Sequence, residues 1–236
     1  TFQSLDESEQ EKRMMIAQLS HDIKTPITSI QVTVEGILDG VIKKEERLHY
    51  LTTIGRQTER LNKLVEELDV LTLNTQPQDT ADEKVEEVFL DQLLIESMSE
   101  FQLQIEQEER DVYIQVSPES AKVKSHYDKL SRILVNLLNN AFKYSEPGTR
   151  IEVLAQLTEQ ELTISVKDEG QGILPEDLEK IFKRLYRVET SRNMKTGGHG
   201  LGLAIARELA HQLGGDISAE SQYGLGSKFT FSLNLK

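Results

Sequence analysis

Hydrophobic periodicity changes character once along this chain, and that change limits what the chain can fold into. Over residues 1–73 apolar side chains recur at steps of three and four: Ile16, Ile23, Ile27, Ile30, Val34, Ile37 and Val41, then Leu51, Ile54, Leu61, Val65 and Leu68, with Thr58 in the same row. This is the period of an amphipathic helix. Leu48, Leu64 and Leu71 widen the second stripe, which suits a bundle better than a narrow two-stranded seam. Asp39-Gly40 falls between the two halves and predicts the turn of an antiparallel helical hairpin. Two helices bury little by themselves. Two hairpins pairing into a dimeric four-helix bundle solve that, so a homodimer is expected.

From Asn74 to Glu87 the pattern lapses into Asn, Gln, Pro77, Asp, Thr and Glu, and reads as a linker. Phe89, Leu93, Leu94, Met98, Phe101 and Ile105 then suggest one more helix. After it the period drops to two: Val112, Ile114 and Val116; Ile151, Val153 and Ala155; Leu162, Ile164 and Val166; Phe229, Phe231, Leu233 and Leu235. Such alternation marks half-buried strands. Helical stretches are predicted over 127–144, 176–182 and 201–213. One sheet with helices over one face, a two-layer α/β sandwich, fits this order. The chain therefore divides into a helical domain (1–73), a linker (74–87) and an α/β domain (88–236), and 236 residues suffice for both.

Charge and composition narrow the function. A net charge of −13 disfavours nucleic acid and anionic lipid as partners. There are no cysteines, which excludes disulfides and thiolate metal sites. No apolar run is long enough to span a bilayer. The sequence opens on Thr1, and the native protein is expected to carry an N-terminal anchor outside this segment, with the present part on the cytoplasmic side of the membrane. Against the overall acidity, Lys183, Arg184, Arg187, Arg192 and Lys195 face Glu189 alone between Phe182 and Gly198. Such a local reversal can screen a polyphosphate.

Three blocks in the second domain point to phosphate chemistry. Gly198, Gly200 and Gly202 alternate with His199 and Leu201 and run into a helix. A loop of this kind lets backbone approach an anion, and the following helix N-terminus offers it free N–H groups. Asn136, Asn140 and Lys143 share one helix face at steps of four and three, opposite Leu134, Leu137, Leu138 and Ala141. Asparagine is a poor interior helix residue, so a spaced pair suggests a role. An amide oxygen can ligate Mg²⁺, Lys143 can meet phosphate, and Tyr144 can meet an apolar or base surface; a polar cap on a surface helix suits Asn139 and is the weaker reading of the spaced set. Asp168 closes a strand and opens Asp-x-Gly-x-Gly; the carboxylate can accept a hydrogen bond from a base's exocyclic amine with Gly170 and Gly172 turning beneath it, although alone the stretch reads as a plain Asp-Glu-Gly turn.

In the first domain, Ser20-His21-Asp22-Ile23-Lys24-Thr25-Pro26 places His21 off the apolar seam, with Thr25 on the same exposed face. Pro26 removes a backbone donor and is expected to bend the helix. Alone, this is an exposed histidine beside a kink. Beside a nucleotide-like module it reads as a nucleophilic imidazole, its other nitrogen bonded to Asp22.

Together these blocks resemble the cytoplasmic core of bacterial sensor histidine kinases of two-component systems, over about His21 to Phe231 and in family order. His21–Pro26 resembles the phosphoacceptor motif, Asn136–Tyr144 the asparagine motif, Asp168–Gly172 the first glycine motif, Phe182–Arg187 the aromatic-basic motif, Gly198–Leu203 the second glycine motif and Gly224–Ser227 the closing Gly-x-Gly turn. The resemblance implies a dimerising phosphoacceptor hairpin joined to an ATP-binding domain of the GHKL (Bergerat) type, shared with DNA gyrase and Hsp90. It implies ATP as the nucleotide, with Mg²⁺ held through Asn140 and with Asn136 and Lys143 nearby. Asp168 would read adenine, with Gly170, Gly172, Tyr144, Arg187, Gly198, Gly200, Leu201 and Gly202 around the nucleotide. It further implies His21 as the phosphoryl acceptor with Asp22 as helper base, Thr25 as an aid to regulator dephosphorylation, and a response regulator as partner. Asp22 stands where glutamate is commoner, Leu185 where an aromatic is frequent, and His199 where Ser or Thr is usual. A dimeric scaffold that binds nucleotide without kinase activity, or an ATPase gate, would share parts of the pattern.

Overall fold

The computed structural model describes residues 2–72, 84–184, 186 and 200–235. The chain forms two compact units, Thr1–Thr72 and Leu73–Lys236.

The first unit is the expected hairpin. Helix α1 (Phe2–Leu38) and helix α2 (Arg47–Thr72) are joined through Asp39-Gly40 and a single 3₁₀ turn at Lys44–Glu46. The turn closes where Ile42 N–H donates to Gly36 O at 2.9 Å. There the Ile42 side chain folds back onto Gly36, and a Cβ at Gly36 would stand 3.1 Å from Ile42 Cδ1. Pro26 lies inside α1, buried, without ending the helix. Among hairpin residues whose side chains are described, only Pro26, Ile42 and Leu64 are buried. Ile16, Ile27, Val34, Leu51 and Val65, all from the predicted stripes, stay exposed on the single chain. A hairpin with so few buried apolar side chains is poorly stabilised on its own.

The second unit is built on a mixed five-stranded sheet of order β2-β4-β5-β7-β6. Its strands are β2 (Asp111–Ser117), β4 (Arg150–Leu157), β5 (Glu161–Asp168), β6 (Gly215–Gln222) and β7 (Gly226–Asn234). The β2–β4 pair is parallel and the rest antiparallel. A separate two-stranded ribbon pairs β1 (Glu86–Phe89) with β3 (Lys122–Ser125). Alternation along the strands sends Ile151, Val153, Leu162, Ile164, Phe229 and Phe231 to one buried face. Helices α3 (Leu90–Ser99), α5 (Tyr127–Tyr144) and α6 (Gly202–Gln212) supply the other half of the core. On α5, Leu130, Ile133, Leu134, Leu137, Leu138, Ala141 and Phe142 are buried, which leaves the asparagine face toward α6 and the exterior. Truncating Leu137 or Leu138, both 0% exposed, to alanine costs about 2–5 kcal/mol.

Four features differ from the sequence reading. The stretch 176–182 is a series of turns, not a helix: Asp177 N–H bonds to Leu174 O and Lys180 N–H to Asp177 O, three residues apart, and the chain closes single turns only. The helix expected through Phe89–Ile105 is two helices, α3 and α4 (Gln102–Gln107). The break at Phe101 lets its ring stack on Phe142 at 4.6 Å between centroids. The short strands β1 and β3 were not anticipated, and β1 begins inside the stretch read as linker. Strand β6 was also unforeseen, because Ile217 is its one buried side chain and its register comes from β7.

Candidate active site

Of the residues singled out on α5, Tyr144 meets the first glycine turn. Asp168 ends β5, buried to 2% exposure. Its Oδ1 accepts from Gly170 N–H at 2.8 Å. The glycine turn then presses on the end of α5. A Cβ on Gly170 would lie 2.2 Å from Tyr144 O and 2.7 Å from Asp168 Oδ1. Gln171 N–H donates to Tyr144 O at 3.2 Å. Gly172 has φ +69°, and a Cβ there would meet Gln222 O at 2.2 Å. That position admits only glycine on both conformational and steric grounds.

Asn136 and Gly202 also come together. Asn136 Nδ2 donates to Arg132 O at 2.8 Å, which aims Oδ1 at α6, 3.0 Å from where a Gly202 Cβ would stand. Among the described residues no side chain caps the leading N–H groups of α6, and Leu201 at its N-cap is buried. Asn140 is half-buried on the same α5 face, and the Lys143 ammonium lies 5.0 Å over the Tyr144 ring. Gly200 borders this turn, with φ +71°. Arg187, Gly198, His199 and Leu185 lie outside the described residues.

Burial pushes the Asp168 carboxyl up to about 6, while the Gly170 and Ser227 N–H groups and the Arg110 charge pull the other way. The sign for stability follows. Between about pH 4 and pH 6 the unfolded chain releases this proton and the folded protein retains it, so the nucleotide-free protein loses stability as pH rises through that window. The loss is on the order of 3 kcal/mol. Asp168→Asn is expected to remove this component, measured as the difference between the wild-type and variant urea midpoints across the window. Parallel pH profiles would contradict the assignment.

One residue that sequence reasoning missed organises this end of the site. Arg110, just before β2, has a side chain 1% exposed. It stacks over Phe142, with its guanidinium carbon 5.6 Å from the ring centroid, and hydrogen-bonds the chain that leaves α5. A lone arginine in a polar run carries no signal of such burial.

In the hairpin, the His21 side chain is 76% exposed and that of Asp22 13%. His21 Nδ1 stands 3.3 Å from Asp22 Oδ1, which also accepts from Gln18 Nε2 at 3.1 Å. Thr25 Oγ1 donates to His21 O at 3.0 Å, within its own helix. Imidazole and carboxylate are thus adjacent as the sequence suggested, and the ring's other edge is left toward solvent.

An exposed histidine backed by a carboxylate on a helical hairpin, followed by an α/β sandwich with a buried aspartate beneath a glycine turn, defines the class: the chain belongs to the histidine kinases. Residues 11–76 match the His Kinase A (phospho-acceptor) domain, and residues 125–236 match the histidine kinase-, DNA gyrase B-, and HSP90-like ATPase family. Among named proteins, it is 38% identical over 229 residues to the histidine protein kinase SaeS of Staphylococcus epidermidis, across 95% of this chain and 64% of that one. It is 39% identical over 230 residues to SaeS of Staphylococcus aureus, across 96% and 64%. The chain therefore spans 64% of the length of these relatives. The solved Acinetobacter baumannii histidine kinase AdeS matches with a TM-score of 0.72 and 27% identity, covering 92% of this chain and 98% of that one.

Proposed function

We propose that the chain is an ATP-dependent protein-histidine kinase that phosphorylates its own His21 and passes the phosphoryl group to an aspartate of a response regulator. The observation that carries this reading is the His21–Asp22 pair at 3.3 Å on an otherwise exposed helix face. Asp22 accepts a hydrogen bond from Nδ1–H and orients the ring, so Nε2 holds the free lone pair, and the Nδ1 proton passes to Asp22 as positive charge develops on the ring. Nε2 forms the new N–P bond as the bond between the γ-phosphorus and the ADP oxygen breaks. ADP leaves with that electron pair.

The nucleotide fits the second unit. The Asp168 carboxylate receives the adenine amine, Gly170 and Gly172 leave room beside it, and the uncapped N-terminus of α6 faces the phosphates. Lys143 screens their charge. Among the described residues no three His, Cys, Asp or Glu converge on a metal position. Mg²⁺ would instead be held through Asn140 and phosphate oxygens, where it supplies charge neutralisation. The protein's own contribution is positioning and electrostatics. Thr25 would aid dephosphorylation of the regulator once its hydroxyl turns from the His21 carbonyl, to which it donates at 3.0 Å.

The exposed stripes of the hairpin support a homodimer through a four-helix bundle. Ile27→Asp is harmless on a lone hairpin, where the side chain is already 46% exposed, but places a charge inside the paired bundle. Sedimentation equilibrium is expected to give a dimer for the wild type and a monomer for this variant; a dimer unaffected by Ile27→Asp would contradict the interface. Among the described residues no helix is long and apolar enough to cross a membrane. ATP as phosphoryl donor and a response regulator as acceptor are in keeping with work on the cytoplasmic side of the cell membrane.

Incubation with γ-labelled ATP and Mg²⁺ tests the function. The expected product is protein-bound label that is lost in acid, survives base and moves to a receiver domain. ATP turnover without labelling would support an ATPase gate, and binding without turnover a signalling scaffold.

A further inference from the structure

We propose that Arg110 is a positioning residue for the nucleotide site: its guanidinium ties down the C-terminal end of α5 and thereby holds Asn140, Lys143 and Tyr144 in register with the Asp168–Gly172 turn. This rests on reading those two blocks as the nucleotide site. Helix α5 ends without a glycine cap, since Ser145 is extended (φ −113°, ψ 151°). Carbonyls at a buried helix end then need other donors. Arg110 supplies them. Nη2 donates to Phe142 O at 3.2 Å and Ser145 O at 2.9 Å. Nη1 donates to Ser145 Oγ at 2.8 Å, to Thr149 Oγ1 at 2.9 Å and to Glu146 O. Nε donates to Glu108 Oε2 at 2.7 Å, which pairs the charge. Every N–H of the fork is engaged, and its positive charge sits at the negative end of the α5 dipole.

The same helix end is the contact with the glycine turn, through the Gln171 N–H···O=C Tyr144 bond and the close approach of Gly170 to Tyr144 O. If α5 frays at Tyr144, both the polar face and the backing of the turn move together. Displacements of about 1 Å in such positioning elements can cost on the order of a hundredfold. Lysine could keep the charge but not the fork, because an ammonium offers three donors from one point. The groups bearing on the Asp168 carboxylate are the Gly170 and Ser227 N–H groups and the Arg110 charge, so removing that charge makes Asp168 harder to ionise.

The test is the affinity of the purified chain for Mg²⁺ and a non-hydrolysable ATP analogue, titrated calorimetrically from about pH 5 to about pH 8. The wild type is expected to bind more weakly below about pH 6 as Asp168 protonates. Arg110→Met should weaken binding at least about tenfold at the alkaline end and move the midpoint of the pH profile upward. Arg110→Lys should restore the midpoint, through its charge, but not the alkaline affinity. Ser145→Ala, which removes one acceptor of the fork, should weaken binding about threefold. Ile217→Ala, a core truncation on β6, should lower stability and leave affinity unchanged. If Arg110→Met does not fold, Arg110→Lys and Ser145→Ala decide. Wild-type binding with both of these within about twofold of it and no change in alkaline affinity would overturn the proposal. A wild type that binds no nucleotide would overturn the site reading itself, and the proposal with it.

Discussion

Gly170→Ala is expected to abolish nucleotide binding while the protein stays folded. The new methyl group would lie 2.2 Å from Tyr144 O and 2.7 Å from Asp168 Oδ1. Neither neighbour can retreat cheaply. Tyr144 O belongs to the end of α5 and accepts from Gln171 N–H, and the Asp168 carboxylate is buried and bonded to Gly170 N–H itself. The turn must therefore move away from the helix, which separates the aspartate from the asparagine face. Overpacking of this kind costs about 1–3 kcal/mol, a few degrees in melting temperature for a domain of this size. The expected effect on affinity is larger, about a hundredfold or more, because the proposed nucleotide site draws on both displaced elements. Isothermal titration with an ATP analogue, alongside a thermal melt, separates the two. Near-normal affinity in a folded Gly170→Ala protein would show that this turn does not face the nucleotide.

His21→Gln is expected to eliminate acid-labile labelling from ATP with nucleotide affinity unchanged within about twofold. Glutamine keeps polarity and helix propensity and has no nitrogen lone pair able to attack phosphorus. The His21 side chain is 76% exposed, so its loss opens no cavity. His21 and the residues proposed to bind ATP lie in different compact units, and this is why binding and labelling should come apart. Equal labelling of wild type and variant would remove His21 from the mechanism, and parallel loss of affinity would mean that it contacts nucleotide.

Much of this architecture was legible because regular patterns carry it. The hairpin showed in the three- and four-residue spacing of Ile23, Ile27, Ile30 and Val34, and α5 in the separation of Leu134, Leu137 and Leu138 from Asn136 and Asn140. The central strands β4, β5 and β7 alternate because helices cover one face only. What was missed lacked a local cause. In β6, Gly-Asp-Ile-Ser-Ala-Glu-Ser-Gln has no apolar alternation, and only pairing with β7 makes it a strand. Strands β1 and β3 are four residues each, and all their exposed positions but Phe89 carry charges. The turns after Pro175 have helix-like composition but close mostly bonds of the three-residue kind, with one of four residues from Ile181 N–H to Asp177 O. Arg110 was invisible for a related reason: apart from Glu108, its acceptors lie more than thirty residues further along the chain, at Phe142, Ser145, Glu146 and Thr149. At the site, the His21–Asp22 and Asp168–Gly170 contacts were readable, because they are short-range in sequence. The approach of Gly170 to Tyr144, and of Gly202 to Asn136, needed the fold.

The most direct measurement maps the phosphoryl group on the intact chain after reaction with ATP and Mg²⁺, by electron-transfer fragmentation under neutral conditions that preserve N–P bonds. A single modification at His21, absent from Gly170→Ala, is the predicted result. A phosphoryl group on serine, threonine or another histidine, with His21 unmodified, would contradict the account.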